Sequence, residues 1–166
     1  MTPDVSVCVA TYRRPAGLAR LLASLARLKL AGEPTLEILV VDNDPQRSAA
    51  ATARGLAGFP HRIRWLEEPR RNISHARNRA VDAAEGRWLA FIDDDEVADE
   101  HWLAAHWQRA AEGACDGWFG PVLAQLEEDV GGSPELAVFY SRPRHPSGTP
   151  LGRASLRTGN AFVRRA

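Results

Sequence analysis

Gly86-Arg87-Trp88-Leu89-Ala90-Phe91-Ile92-Asp93-Asp94-Asp95-Glu96 is the stretch on which the fold turns. Trp88 to Ile92 offers no polar position, so both faces of the strand it predicts must be covered. The run then passes without a spacer into a row of carboxylates. Strands apolar on both faces belong in parallel sheets sandwiched by helices, and such sheets bind ligands beyond the carboxyl ends of their strands.

Upstream, Ser74 is a helix N-cap for a segment running to about Glu85, and Gly86 is the matching stop. Arg62-Ile63-Arg64-Trp65-Leu66 alternates with period two, as a strand nearer the sheet edge does. Leu36 to Val41 is a second fully apolar strand that stops at Asp42-Asn43-Asp44-Pro45, and an Ala-rich helix is expected over 46–57. Val5 to Ala10 is the first strand. Thr11 to Arg14 makes the turn after it, and Pro15 suits the first position of a helix carrying Leu18, Leu21, Leu22, Leu25 and Leu28. Downstream, Asp99 caps a helix over about 100–112, and a strand is expected within 117–124. Residues 127–158 read mainly as loop with a helical turn near 134–140, and Asn160 to Val163 as a last strand. The fold class is therefore α/β with a mainly parallel sheet.

The composition narrows the chemistry. Of 21 basic residues 20 are Arg, and the lone Lys29 ends a predicted surface helix, so no phosphate-loop lysine and no Schiff-base lysine is available. No G-x-S-x-G, H-E-x-x-H or G-x-G-x-x-G signature occurs. Cys8 and Cys115 lack metal or disulfide spacing, and Cys8 reads as a small buried hydrophobe. His75, His101 and His106 also lack ligand spacing. Trp102 and Trp107 have two readings, covering a sugar or packing in the core, and core packing is the expected one. With no signal peptide and no membrane-span pattern, the expected location is cytoplasmic. No nucleic-acid partner is expected.

The net charge of zero hides three blocks. Residues 1–80 carry 13 basic and 7 acidic groups, residues 81–135 carry 2 and 14, and residues 136–166 carry 6 basic groups and no carboxylate side chain. Adjacent carboxylates repel unless something compensates. A divalent cation does so, and oxygen donors alone favour Mn²⁺ or Mg²⁺. The alternative is a solvated acidic turn before a helix. Asp42 has two readings as well, recognition of a nucleobase imide or an Asx-turn. Asn72, Arg77, Asn78 and Arg79 surround a helix start that suits a phosphate or sugar, although surface arginines are common.

Four segments in order, Val5 to Pro15, Ile38 to Asp44, Asn72 to Ala80 and Gly86 to Glu96, resemble family 2 glycosyltransferases of the GT-A fold. The bacterial exopolysaccharide (succinoglycan-type) glucosyltransferases are the nearest in flavour, and the likeness covers roughly residues 4–125. It implies a three-layer α/β/α sandwich, with 1–125 binding the nucleotide-sugar and 126–166 beginning an incomplete acceptor side. It further implies that Ala10, Thr11, Tyr12 and Arg13 flank the uridine of a UDP-sugar and that Asp42 bonds the uracil. Asn72 and Arg77 would line the nucleotide pocket. Asp93, Asp94 and Asp95 match the Asp-x-Asp element, Asp93 and Asp94 toward the donor and Asp95 with Asp93 toward Mn²⁺ or Mg²⁺.

An inverting transfer also needs a carboxylate base to deprotonate the acceptor hydroxyl. The resemblance places it after Gly159 to Arg165, so it is expected beyond Ala166. Within the chain the candidates are Asp116, Glu127, Glu128, Asp129 and Glu135, none at the family position. The expected function is metal-dependent sugar transfer from a UDP-sugar to a saccharide or lipid-linked acceptor in polysaccharide biosynthesis, with this chain the donor-binding portion. A catalytically inactive sugar-nucleotide-binding or assembly module and a sugar-phosphate nucleotidyltransferase are the alternatives. The basic tail, Arg142, Arg144, Arg153, Arg157, Arg164 and Arg165, has three readings: contact with a donor or lipid diphosphate, peripheral attachment to the inner membrane face, or a solvated loop.

Overall fold

Each apolar run forms a strand in the computed structural model, which describes residues 2–30, 32, 34–56, 58–113, 115–125, 143–152 and 156–166. Strands β1 (Val5–Thr11), β2 (Leu36–Asp42), β3 (Arg62–Glu67) and β4 (Trp88–Phe91) pair in parallel. Helices α1 (Pro15–Leu25), α2 (Ala50–Arg54) and α3 (Ile73–Ala83) connect them. After β4 come α4 (Trp102–Glu112), β5 (Gly117–Phe119) and β6 (Ala161–Arg164). The sheet order is β3-β2-β1-β4-β6-β5, with β6 antiparallel to both neighbours. Thus β6, from the stretch assigned to the acceptor side, is hydrogen-bonded into the same sheet.

Side chains alternate across a strand, so β1 serves two cores at once. Val5, Val7 and Val9 pack with Leu18, Leu21, Leu22 and Leu25 of α1 on one face. Cys8 packs with Leu39, Val41, Leu89 and Ala76, Ala80 and Ala84 on the α3 face. The result is the expected three layers. The chain steps from β1 to β2 to β3 in one direction and then returns to place β4 on the other side of β1. That reversal opens a crevice at the carboxyl ends of β1 and β4.

Polar groups pin both ends of the sheet. At the amino-terminal end Glu37 is fully buried, and its Oε1 accepts from the Ser6 hydroxyl (2.7 Å) and the Glu85 N–H (2.8 Å). Its Oε2 accepts from Arg64 Nη1 at 3.0 Å. On the α4 side, Asn160 Oδ1 accepts from Trp102 Nε1 and His106 Nε2, both at 2.7 Å. Trp118 Nε1 donates to His106 Nδ1 at 2.7 Å, which leaves the ring proton on Nε2. The rings of Trp88, Trp118, Phe162 and His106 stack around this network.

Several expectations move. The helix expected over 46–57 is confined to Ala50–Arg54. The carboxylates of Asp42 and Asp44 take the N–H groups of Asp44, Gln46 and Ala49, and Arg47 sits at φ 56°, so the turn of 43–49 competes with helix. The cap of α3 is Asn72, whose side chain accepts from the Ser74 N–H, and not Ser74. Gly86 does not stop α3, which ends at Ala83. It is required because a Cβ there would lie 2.5 Å from the Ser6 nitrogen. Asp99 bonds the His101 N–H in the turn just before α4. The strand expected within 117–124 is three residues long. The helical turn expected near 134–140 lies outside the described residues.

Candidate active site

The crevice between β1 and β4 is closed by hydrogen bonds from the turn after β1 to the carboxylates after β4. Thr11 Oγ1 donates to Asp94 Oδ2 at 2.7 Å, and the Tyr12 N–H donates to the same carboxylate. Arg14 Nη1 lies 3.4 Å from Asp94 Oδ1 and 2.6 Å from Asp95 Oδ2. Across the crevice Arg77 Nη2 of α3 pairs with Asp93 Oδ1 at 2.6 Å. Burial pushes the Asp94 carboxyl above the usual aspartate value, against the pull of Thr11 and Arg14. This close approach depends on Gly17 in α1, where a Cβ would stand 2.7 Å from the Asp94 carbonyl oxygen.

A cleft of about 370 Å³ opens beside this seam. One wall is Ala10, Thr11, Tyr12 and Arg14, and Asp94 closes its end. The other wall, Arg71, Asn72, Ile73 and Ala76, brings the amino terminus of α3 to the cleft. Asn43 joins the walls, its Nδ2 donating to the carbonyls of Glu68 (2.6 Å) and Arg70 (2.9 Å) while its Oδ1 accepts the Asn72 N–H (3.0 Å). In the same loop the Arg70 side chain and N–H hold the Glu68 carboxyl down at about 2. The guanidiniums of Arg13 and Arg71 lie 5.1 and 5.0 Å from the centre of the Tyr12 ring.

Of the residues named from the sequence, Ala10, Thr11, Tyr12, Asn72 and Asp94 line the cleft. Three other nucleotide-site candidates sit differently. Arg13, at φ 54°, turns its side chain toward Asp44 at 3.4 Å. Arg77 is committed to Asp93. Asp42 is buried beside Thr11, its register partner, and its two oxygens accept the N–H groups of Asp44 (3.0 Å) and Ala49 (2.8 Å). The Asx-turn reading of Asp42 is therefore realised in the fold.

Asp93 and Asp95 are drawn toward different arginines, and no group of three or more His, Cys, Asp or Glu is gathered among the described residues. A sparse set still fits Mg²⁺ or Mn²⁺, which commonly take one or two carboxylates and complete their shell with water and substrate phosphates. Asp95 supplies hard oxygens on an exposed side chain beside the cleft. Of the candidate bases, Asp116 pairs with Arg164 at 2.9 Å. Arg164 is level with Trp88, so Asp116 is at the end of β4 remote from Asp94. Glu127, Glu128, Asp129 and Glu135 lie outside the described residues. In the basic tail, Arg165 Nε donates to the Gly86 carbonyl at 2.8 Å. Arg164 and Arg165 therefore serve the remote end of the sheet and not a donor diphosphate. Arg142 and Arg153 lie outside the described residues.

Residues 6–161 match the model of glycosyl transferase family 2. The chain belongs to that family. Its family 2 relatives include the succinoglycan biosynthesis protein ExoM of Rhizobium meliloti, 36% identical over 166 residues, 98% of this chain and 51% of the relative. ExoO of the same organism is 38% identical over 98 residues, 57% of this chain and 26% of its own length. The chain thus spans about half or less of the length of these relatives. Among solved structures, S. aureus TarS 1–349 in complex with UDP superposes with a TM-score of 0.63 at 21% identity, over 75% of this chain and 38% of that one. The mannosyltransferase PcManGT of Pyrobaculum calidifontis, in complex with GDP-Man and Mn²⁺, gives 0.63 at 24% identity, over 75% and 36%. The architecture is that of the GT-A glycosyltransferases.

Within this family 2 fold, five cleft residues escaped the sequence reading: Arg14, Asn43, Arg71, Ile73 and Ala76. Arg14 and Asn43 had a usable signal, since each directly follows a site candidate in a turn beyond a strand. Arg71, Ile73 and Ala76 had none apart from flanking the Asn72 cap.

Proposed function

We propose that this chain binds the donor of a sugar transfer, a UDP-sugar together with Mn²⁺ or Mg²⁺, in the assembly of a bacterial polysaccharide. The acceptor is a saccharide or a lipid-linked saccharide. The observation that carries this reading is the Thr11–Asp94 seam at the strand-order reversal, with the cleft and the amino terminus of α3 beside it. Tyr12 and Arg71 offer a stacked ring and guanidinium to a nucleobase. The α3 terminus and Arg14 present positive charge to phosphates. Asp42 orders the loop after β2 through the Asp44 and Ala49 N–H groups, and the remaining lone pairs of its carboxylate are the proposed acceptors for uracil. Asp95, with Asp93, would hold the cation, which when bound neutralises the departing diphosphate. The transfer is of the inverting type, and its base is assigned outside the described residues.

Titration calorimetry with UDP, GDP and UDP-sugars, with and without MnCl₂, tests the reading. UDP is expected to bind more tightly than GDP and to gain affinity from Mn²⁺. Equal affinity for all nucleotides would remove the uridine assignment, and indifference to Mn²⁺ the cation assignment.

A further inference from the structure

We propose that Arg14 is an exchangeable counter-ion: it occupies Asp95 while the site is empty and passes to the donor diphosphate on binding, so that cation and nucleotide enter cooperatively. This rests on the donor and cation reading above. The carboxylates after β4 are neutralised unequally. Asp93 is held by Arg77, whose side chain is only 21% exposed and which is fixed on α3. Asp95 is held by Arg14 at 2.6 Å, and both of those side chains are 56% exposed.

Exposed ion pairs contribute little to stability, so the Arg14–Asp95 contact can be exchanged at small cost. The longer 3.4 Å contact of the same nitrogen with Asp94 is given up too, and that carboxylate keeps its bonds from Thr11 and the Tyr12 N–H. Arg14 also lines the cleft itself, and its planar fork suits phosphate oxygens. It occupies the N-cap position of α1 without a capping bond from its side chain, so the helix does not depend on where the guanidinium points. A free cation approaching Asp95 meets a carboxylate already paired and a positive charge beside it. A diphosphate removes both obstacles by drawing Arg14 to itself. Coupling of this kind is reciprocal, so it is readable from either ligand.

The experiment measures Mn²⁺ binding by electron paramagnetic resonance without nucleotide, and UDP binding by calorimetry with and without Mn²⁺. Arg14→Gln is expected to bind Mn²⁺ alone about three- to tenfold more tightly than wild type. It is expected to bind UDP more weakly and to lose most of the gain that Mn²⁺ gives UDP. Arg47→Gln removes a charge near the same sheet end that is paired with Glu67, and is expected to shift Mn²⁺ affinity less than twofold. Unchanged or weaker Mn²⁺ binding in Arg14→Gln overturns the proposal, as does an equal rise in Arg47→Gln. Asp95→Asn is expected to weaken Mn²⁺ binding. Wild-type Mn²⁺ affinity in Asp95→Asn instead overturns the cation reading, and this proposal with it.

Discussion

Thr11 and Asp94, 83 positions apart in the chain, share a 2.7 Å hydrogen bond that ties the end of β1 to the exit of β4. The bond exists because β4 returns to the side of β1 opposite β2, which places two strand ends at one crevice. It also fixes a carboxylate where burial resists its ionisation. Asp94 is therefore a place where the fold gives up stability for a charge at the cleft.

Asp94→Asn should accordingly stabilise the empty protein and weaken nucleotide binding. The sign follows from the raised folded value: the protonated form is favoured on folding. The favourable contribution is full below the ordinary aspartate value of 3.8 and is lost as pH rises through the folded value. Thermal melts should show wild type and Asp94→Asn converging near pH 3 and separating toward pH 7, with the variant higher. A variant that melts lower at pH 7 counts against this account of Asp94.

The strands and the identity of the layers were legible because they depend on apolar runs and strand-end positions, which a linear sequence displays. The site was legible only in part. Thr11, Tyr12, Asn72 and Asp94 announce themselves by following a strand or preceding a helix. Arg14 shares that position, but its role does not show, since its partners Asp94 and Asp95 lie 80 and 81 positions away and adjoin it only through the β1–β4 pairing. Asn43 also follows a site candidate beyond a strand, but its work is done on the carbonyls of Glu68 and Arg70, 25 and 27 positions on, which the sequence does not display. The length of α2 was overestimated because helix propensity in 46–57 lost to side-chain acceptors on Asp42 and Asp44.

His106 should make stability fall on the acid side of neutrality. Burial lowers its value below the ordinary 6.5, and its Nδ1 must stay unprotonated to accept from Trp118. The unfolded chain therefore binds the proton first, and stability is lost as pH falls below about 6.5, by at most about 1.4 kcal/mol per pH unit for one group. His61, also lowered by burial, adds in the same direction. Urea midpoints between pH 7.5 and 5 should fall for wild type, less steeply for His106→Gln, and least when His61→Gln is added. A slope unaffected by His106→Gln contradicts the assignment.

The two thiols should separate cleanly by reactivity. Cys8 is buried between β1 and α3, and burial with the nearby Glu37 charge pushes it up to about 12. Cys115 is exposed. Because the thiolate is the reactive form, iodoacetamide at pH 8 should label Cys115 alone in the folded protein and both thiols in denaturant. Mass spectrometry of the labelled peptides decides it, and prompt labelling of Cys8 without denaturant would mean that the α3 layer opens readily.

Asn43 should prove as important to the cleft as the residues that line its walls with charge. Its three hydrogen bonds hold the loop from Glu68 to Asn72, and that loop delivers both the α3 cap and Arg71 over Tyr12. Asn43→Ala leaves two carbonyls and one N–H without their partner, which costs about 1–3 kcal/mol where water cannot replace it. Asn43→Asp keeps the acceptor for Asn72 but sets a carboxylate against the carbonyl oxygens of Glu68 and Arg70, so it should be the less stable of the two. Urea denaturation should rank wild type above Asn43→Ala above Asn43→Asp, and UDP affinity should follow that order. If Asn43→Ala loses stability yet binds UDP like wild type, the loop is a structural brace and the nucleotide does not depend on the wall it carries.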